Sequence, residues 1–371
     1  MEKKDCIISN DEYILKRFDD GSKVTVRDLQ LKILEIMDEI HRVCEKNKIE
    51  YCLIAGSALG ICNYKGFIPW DDDMDICIKK EDWNRFVEAM SKDLSDKFYF
   101  HCYENDKRYN ILIPSMKVRM KDTYIQEVNY LLENRCDGDG IFIDVVIYDN
   151  VADNKVVDEL YRTPIRLLMP LLVFLDNLGF EAKWLKNIIL RKAEKYGKKY
   201  KDSKYTSQTI AIPWEKFMKE PIFLKEDVYP FKLYEFEGRK FYSYNNIEKV
   251  MKEWYGPNCL KKWDGKKWVE TLPIEKRKPK HIANINLKSD IPDVITKKKG
   301  ARLIRGITIA VFVFLLALLL FNDFSLKLLG IGIMFIGISI ILFIDRWYIY
   351  KSNNNIINYD VEIFVINIAN L

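Results

Sequence analysis

Asp71, Asp72, Asp73 and Asp75 place four carboxylates among five residues, within the stretch GSALGICNYKGFIPWDDDMDI that runs from Gly56 to Ile76. Like charges this close repel one another unless solvent screens them or a cation sits between them. From Asp73 to Ile78 the chain alternates Asp, Met, Asp, Ile, Cys, Ile. That is the period of a strand with one acidic and one apolar face, and it argues against a solvated acidic turn. Two carboxylates on one strand face lie about 7 Å apart. A divalent cation shared with a ligand's phosphates can bridge that span, and an all-oxygen environment suits a hard ion such as Mg²⁺ (or Mn²⁺).

Two more features belong to the same chemistry. GIFIDVVIYD, Gly140 to Asp149, is a β-branched and aromatic run interrupted by one acid, Asp144. A carboxylate there is costly unless it is paired, bound to a cation, or turned to water at a strand end. Upstream, the apolar run YCLIA, Tyr51 to Ala55, reads as a buried strand ending at Gly56-Ser57. The glycine lets backbone N–H groups approach a phosphate closely, and Ser57 adds a hydroxyl. Phosphoryl or nucleotidyl transfer uses this inventory. Asp73 and Asp75 hold metal, and Asp144 either completes the metal site or takes the proton from an attacking hydroxyl. Lys117 and Arg119 alternate on one face of a strand segment, ILIPSMKVR, and can reach donor phosphates. Each motif alone is weak; the ordered set on three apolar strands is more specific.

The elements that must position these groups follow from periodicity. Thr25 with Asp28 forms a capping-box pattern ahead of Leu29, Ile33, Ile36, Met37, Ile40, Val43 and Cys44, one face of an amphipathic helix. A short helix is expected from Ala58 to Asn63. After the carboxylate strand, Asp82 is expected to cap a helix that turns Trp83, Phe86, Val87 and Met90 inward. The first 150 residues thus read as an α/β unit with its acids on a sheet, although Pro114 suggests an edge or bulge. Residues 153–200 are helical in character. Within them RLLMPLLVFLDNLGF is too short to span a bilayer and is interrupted by Pro170. It reads as a core helix, with a face lying on a membrane surface as the alternative. FEGRKFYSY, Phe236 to Tyr244, is a hairpin, and NNIEKVMKEWYG is a helix closed by Gly256.

Composition narrows the partners. With 371 residues and a formal charge of +5 there is no broad basic excess of the kind nucleic-acid binding draws on. Lysines are dense from Lys183 to Lys204 and from Lys261 to Lys299, which suits an anionic membrane surface. Eight cysteines without a CxxC pair and three scattered histidines give no zinc-site spacing, so reduced, cytosolic thiols are expected. The start, MEKKDCIISNDEY, lacks the apolar run of a secretory signal. Near the other end, Gly306–Phe321 and Leu328–Ile344 are uncharged apolar stretches of membrane-helix length, separated by a short turn. Lys297, Lys298, Lys299, Arg302 and Arg305 precede them, and Arg346 and Lys351 follow. A transmembrane hairpin with both ends cytoplasmic is the expectation; the alternative is a buried hydrophobic hairpin.

Gly56-Ser57, KGFIPWDDDMDI, GIFIDVVIYD, FEGRKF and LPIEKRKPKH together resemble the LicD family of phosphotransferases, over about residues 25–281. The resemblance implies a nucleotidyltransferase-like mixed α/β (α+β) sheet with flanking helices and a helical insertion. It also implies transfer of a phospho-substituent, typically phosphocholine from CDP-choline, to a sugar hydroxyl of a cell-surface glycan such as lipopolysaccharide or teichoic acid, or of its lipid-linked precursor. By motif position Asp73, Asp75 and Asp144 match the family's metal and catalytic carboxylates, and Gly56 and Ser57 its donor-binding turn. Lys65, Trp70, Asp71 and Asp72 belong to the signature; Asp71 and Asp72 either ligate metal indirectly or order the loop. Arg277 matches a basic position that meets donor or acceptor, or else lies on a surface helix. The expected organisation is an extension (1–24), a catalytic core (25–150), a helical and hairpin region (151–290), a basic linker (291–305), the membrane hairpin (306–344), which lies outside the family core, and a cytoplasmic tail (345–371). Donor, glycan acceptor and membrane lipid are the expected partners, with no nucleic acid. A metal-dependent glycosyltransferase and an inactive membrane-anchored scaffold are the competing readings.

Overall fold

Thr25 caps the first long helix as its sequence predicts. Its hydroxyl accepts the Asp28 N–H at 3.2 Å, and the Asp28 carboxylate accepts the Thr25 N–H at 2.8 Å. Such a cap contributes about 1 kcal/mol. In a computed structural model, which describes residues 13–111, 115–127, 140–177, 180–213, 217–263, 268–269, 272 and 277–287, this helix is α1 (Val26–Asn47). It follows a small hairpin of β1 (Ile14–Arg17) and β2 (Lys23–Thr25). Leu29, Ile33, Ile36, Met37, Ile40 and Val43 are fully or almost fully buried, each worth about 1.5–3 kcal/mol. Their 3.6-residue spacing is what makes α1 a lid on the sheet rather than a free helix.

The chain then enters the sheet through β3 (Tyr51–Leu53), α2 (Ala55–Tyr64), β4 (Asp75–Lys79), α3 (Trp83–Asp93), β5 (Phe98–Cys102), β6 (Met116–Met120), β7 (Tyr124–Glu127) and β8 (Phe142–Val151). Helices α4 (Lys155–Asn177) and α5 (Lys183–Lys199) follow. After them come β9 (Tyr205–Gln208), β10 (Phe223–Leu224), the short α6 (Lys225–Val228), β11 (Lys232–Phe236), β12 (Arg239–Ser243) and α7 (Ile247–Tyr255). The last described elements are the two-residue strands β13 (Lys262–Trp263) and β14 (Trp268–Val269), and β15 (Ile282–Asn286). The main sheet is mixed, in the order β10-β9-β8-β4-β3-β12-β11, with β6 also on β8 and β5 beyond it. β8 is long enough to serve two neighbours on one edge, β6 along its first half and β9 along its second. The sheet is not confined to residues 25–150, because β9 and β12 join it from later in the chain.

Several local expectations change. Asp73 precedes β4 rather than lying on it, because the chain leaves strand geometry to feed Asp72 into a separate set of hydrogen bonds described below. Gly56 and Ser57 sit in the first turn of α2, not at a strand end, because the turn out of β3 closes at Ala55, which takes a left-handed φ of 48°. Asp82 is at the start of α3 but its side chain caps nothing; it pairs with Arg85 at 2.6 Å instead. Val87 is only partly buried, whereas Trp83, Phe86 and Met90 are in the core. The β11–β12 hairpin is present, and Gly256 closes α7 at a φ of 93°.

Helix α4 departs most. It runs through Pro164 and Pro170 without ending, since a proline removes one N–H while the other helical bonds hold the turn. Its apolar residues divide: Ile165 and Leu172 are buried, whereas Leu160 and Leu167 are 68% and 73% exposed, and Asp158 and Arg162 are buried beside them in the chain. The chain divides into two units, residues 1–170 with 183–289, and residues 171–182 with 290–371. Pro114, the apolar stretches Gly306–Phe321 and Leu328–Ile344, and the tail lie outside the described residues. Among the described residues no helix is long and apolar enough to cross a membrane.

Candidate active site

The site is assembled where α2, β4, β6 and β8 begin or meet. Asp75 opens β4 and stands in register with Asp144 on the adjacent parallel strand β8. On the other side of β8, Lys117 of β6 is the register partner of Asp144. Its Nζ lies 2.7 Å from Asp144 Oδ1 and 3.3 Å from a Glu127 carboxylate oxygen, and the side chain is wholly buried over the Phe142 ring. Pleat and register therefore bring the acids from residues 75 and 144 to one place.

The loop ahead of β4 is held from several sides. Gln30 of α1 donates to the Ile68 carbonyl at 3.0 Å and to the Asp71 carbonyl at 2.9 Å. Glu237, in the β11–β12 turn, accepts the Phe67 N–H at 3.3 Å and pairs with Arg27 at 2.8 Å. Gly56 matters here for its missing side chain. A Cβ there would lie 2.7 Å from Asp71 Oδ2. Ser57 is buried, and its Oγ accepts the Asp75 N–H at 3.1 Å. Ala55, Gly56 and Ser57 supply the first-turn amides of α2, which lack intrahelical partners and carry the positive end of the helix dipole.

A residue from far along the chain completes the cluster. Asp72 is only 1% exposed and accepts the backbone N–H groups of His281 and Ile282, each at 3.0 Å. His281 Nδ1 lies 2.8 Å from Asp72 Oδ1 and 3.1 Å from Asp73 Oδ2. From there β15 pairs with β7, Ile282 opposite Glu127, so one segment both meets Asp72 and seats Glu127 near Lys117. Of the two alternatives for Asp72, ordering the loop is the role its hydrogen bonds display.

Among the described residues the charges do not balance: Asp71, Asp72, Asp73, Asp75, Glu127 and Asp144 face Lys117 and His281. Burial pushes the Asp75 carboxyl well above the usual carboxylate range, and repulsion from Asp73 and Asp144 adds to it. Asp71 is raised by burial and then by Asp73. Burial also raises Asp73, against the pull of His281. Asp144 is pushed up to about 6 by burial despite Lys117. The attraction of Asp73 comes first among the causes that hold the His281 imidazole up to about 11, with the Asp72 hydrogen bond assisting. Buried acids that cannot all ionise together are what a cation site looks like before its charge is supplied. Ligand atoms of Asp71, Asp72, Asp73 and His281 lie within 4.8 Å of one another, so the cluster can hold a metal ion.

Other candidate residues are distributed less tightly. Arg119 lies on the Lys117 face two residues on, opposite Phe142, and donates to the Gly140 carbonyl at 2.7 Å. The Arg277 guanidinium covers the Trp70 indole at 5.8 Å, with Nε donating to the Leu272 carbonyl. Trp70 immediately precedes Asp71, so Arg277 borders the cluster through it. Lys65 is not brought in. It ends α2, about 13 Å along the helix from Gly56, and its exposed ammonium pairs with Glu235. The reading from residues passed over His281 and Glu127. LPIEKRKPKH ends on His281, but nothing in its spacing announces a contact with an acid more than 200 residues earlier.

Comparison with known proteins meets this geometry at the same segment. Residues 48–157 match the family model described as LicD/FKTN/FKRP, nucleotidyltransferase domain. The chain is 24% identical over 291 residues to the lipopolysaccharide cholinephosphotransferase LicD of Haemophilus influenzae, covering 70% of this chain and 97% of that protein. Two uncharacterized proteins match shorter stretches. One from Rickettsia typhi is 37% identical over 89 residues, 21% of this chain and 28% of its own length. One from Rickettsia prowazekii is 36% identical over 73 residues, 20% of this chain and 25% of its own length.

Proposed function

We propose, from the premise that residues 48–157 carry a LicD-type nucleotidyltransferase domain, that the protein is a metal-dependent phosphotransferase. It moves a phospho-substituent, phosphocholine in the first instance, from a cytidine-diphospho donor to a sugar hydroxyl of a cell-surface glycan or its lipid-linked precursor. One observation carries the reading: Asp75 and Asp144 stand side by side on adjacent parallel strands, next to the first turn of α2.

Asp73, Asp75 and Asp144 would hold a divalent cation, Mg²⁺ or Mn²⁺, which when bound neutralises charge on the pyrophosphate and on the transferring phosphoryl group. The first-turn amides of α2 present donors to a phosphate oxygen, and the Ser57 hydroxyl, accepting from Asp75, is oriented with its own proton available to donate. Lys117 fixes the Asp144 carboxylate and adds a positive charge beside the reacting phosphate. Asp144 serves either as a ligand of that cation or as the base that receives the acceptor hydroxyl proton, not as both at once.

Incubating the full chain with Mg²⁺, a panel of cytidine-diphospho donors and a glycan mixture should release CMP. Release of a nucleoside diphosphate from nucleotide sugars would favour the glycosyltransferase reading, and no turnover from any donor would favour the scaffold. We further infer that residues 306–344 tether the enzyme, active domain on the cytoplasmic side, near a lipid-linked acceptor. Deleting residues 300–371 should lower turnover on acceptor in membranes; unchanged turnover would remove this part of the reading.

A further inference from the structure

Helix α4 buries charge as well as apolar side chains. Beside buried Ile165 and Leu172, its inward side holds Arg162, fully buried, which reaches Asp158 at 2.7 Å and Glu220 at 4.0 Å. Tyr196 of α5 donates to the other Asp158 oxygen at 2.6 Å. Buried Glu159 pairs with Arg166 and accepts the Met218 N–H at 2.9 Å. Its outward side is apolar. Val156, Leu160 and Leu167 are 55%, 68% and 73% exposed, and Pro164 is exposed between them. At 100° per residue these four positions fall in one stripe about 80° wide. Single exposed apolar residues are ordinary; a continuous stripe over three turns marks a contact surface.

The outer face of α5 continues the pattern and gives it a sign. Trp184 and Ile188, 63% and 42% exposed, occupy its first turns. Lys192, Lys195 and Lys199 follow on the same stripe and are all exposed. The two faces share an edge, since Lys199 Nζ lies 2.8 Å from Tyr161 Oη on α4. An apolar stripe bordered by tryptophan at one end and lysines at the other suits the plane between acyl chains and anionic headgroups. Protein interfaces, by contrast, are depleted in lysine.

We propose that the outward face of α4, with the basic outer edge of α5, is a docking surface for an anionic lipid bilayer. Val156, Leu160 and Leu167 enter the acyl boundary, Trp184 sits at headgroup level, and the α5 lysines meet lipid phosphates. The proposal does not depend on the reaction assigned to the acid cluster.

The test uses the full-length chain incorporated into phosphatidylcholine vesicles with about 30% phosphatidylglycerol. A photo-reactive phenylalanine replaces Leu160 or Leu167 in turn, and Leu31 or Leu233, exposed on α1 and β11, as controls. Mass spectrometry of the irradiated protein should find lipid adducts at Leu160 and Leu167 at least about fivefold above the controls. Omitting phosphatidylglycerol, or combining Lys195→Glu with Lys199→Glu, should lower those adducts to the level of the controls. Adducts to a second copy, to residues 306–344 of the same chain or to another protein in place of lipid would overturn the proposal. So would lipid adducts equal to those of the controls, or indifferent to vesicle charge.

Discussion

Two buried groups of charges sit in one domain and obey opposite rules. Beneath α4, Asp158, Glu159 and Glu220 meet Arg162 and Arg166, and Tyr196 takes a remaining oxygen. At the site, six carboxyls face Lys117 and His281, and burial has raised Asp71, Asp73, Asp75 and Asp144. The first group is nearly neutral and ties a helix to the sheet. The second carries, among the described residues, an excess of acid that an added cation would offset. Buried charge by itself marks neither structure nor function; imbalance distinguishes them.

Asp75→Asn and Asp144→Asn break the comparison most directly. Each should lower CMP release by about a thousandfold or more, while the melting temperature holds or rises because repulsion is relieved. Loss of folding, seen by circular dichroism, would place these acids with the structural group. Arg162→Met should do the reverse. Leaving Asp158 and Glu220 buried without their cation should cost about 3–5 kcal/mol in urea unfolding, with turnover per folded molecule unchanged.

A pH series sharpens the contrast. For a carboxyl whose folded pKa is raised, the folded state binds more protons, so its contribution is fully present below the unfolded pKa and is lost as pH rises through the folded one. Asp144 moves from 3.8 to about 6. In chelator, thermal stability should therefore fall as pH is raised from about 4 to about 7. Asp144→Asn or added Mg²⁺ should flatten that slope; an unchanged slope would mean the acids are not crowded as described.

Gly56→Ala should have the smallest effect. Its Cβ meets a movable carboxylate oxygen of Asp71 rather than backbone. Unfolding free energy should change by less than about 1 kcal/mol while CMP release falls several-fold, a split measured by unfolding and steady-state assay on the same preparation.

The site was legible in part. Asp144 stands out because it interrupts a β-branched run and Asp75 because it belongs to an alternation of acid and apolar residues, and a strand keeps the positions of its side chains predictable once a partner is chosen. Lys117 was visible by alternation, but its pairing with Asp144 needed the register of β6 on β8. His281 was not visible as a partner at all, because its approach to Asp72 and Asp73 depends on β15 pairing with β7. Helix α4 was legible in part for a related reason. Its period does not show that Asp158 and Arg162 are buried along with Ile165 and Leu172, which depends on Tyr196 of α5 and on Glu220.

The amino-acid sequence alone determined that α1 is capped at Thr25 and buries one apolar face, and that Asp75 and Asp144 stand on strands. These are local matters of period and capping, decided within a few turns of chain. Tertiary structure alone decided which acid faces which, that Asp72 holds a backbone segment, and that α4 turns its charges inward. Each depends on strand register or on groups more than a dozen residues apart, where the partner, not the residue, sets the environment.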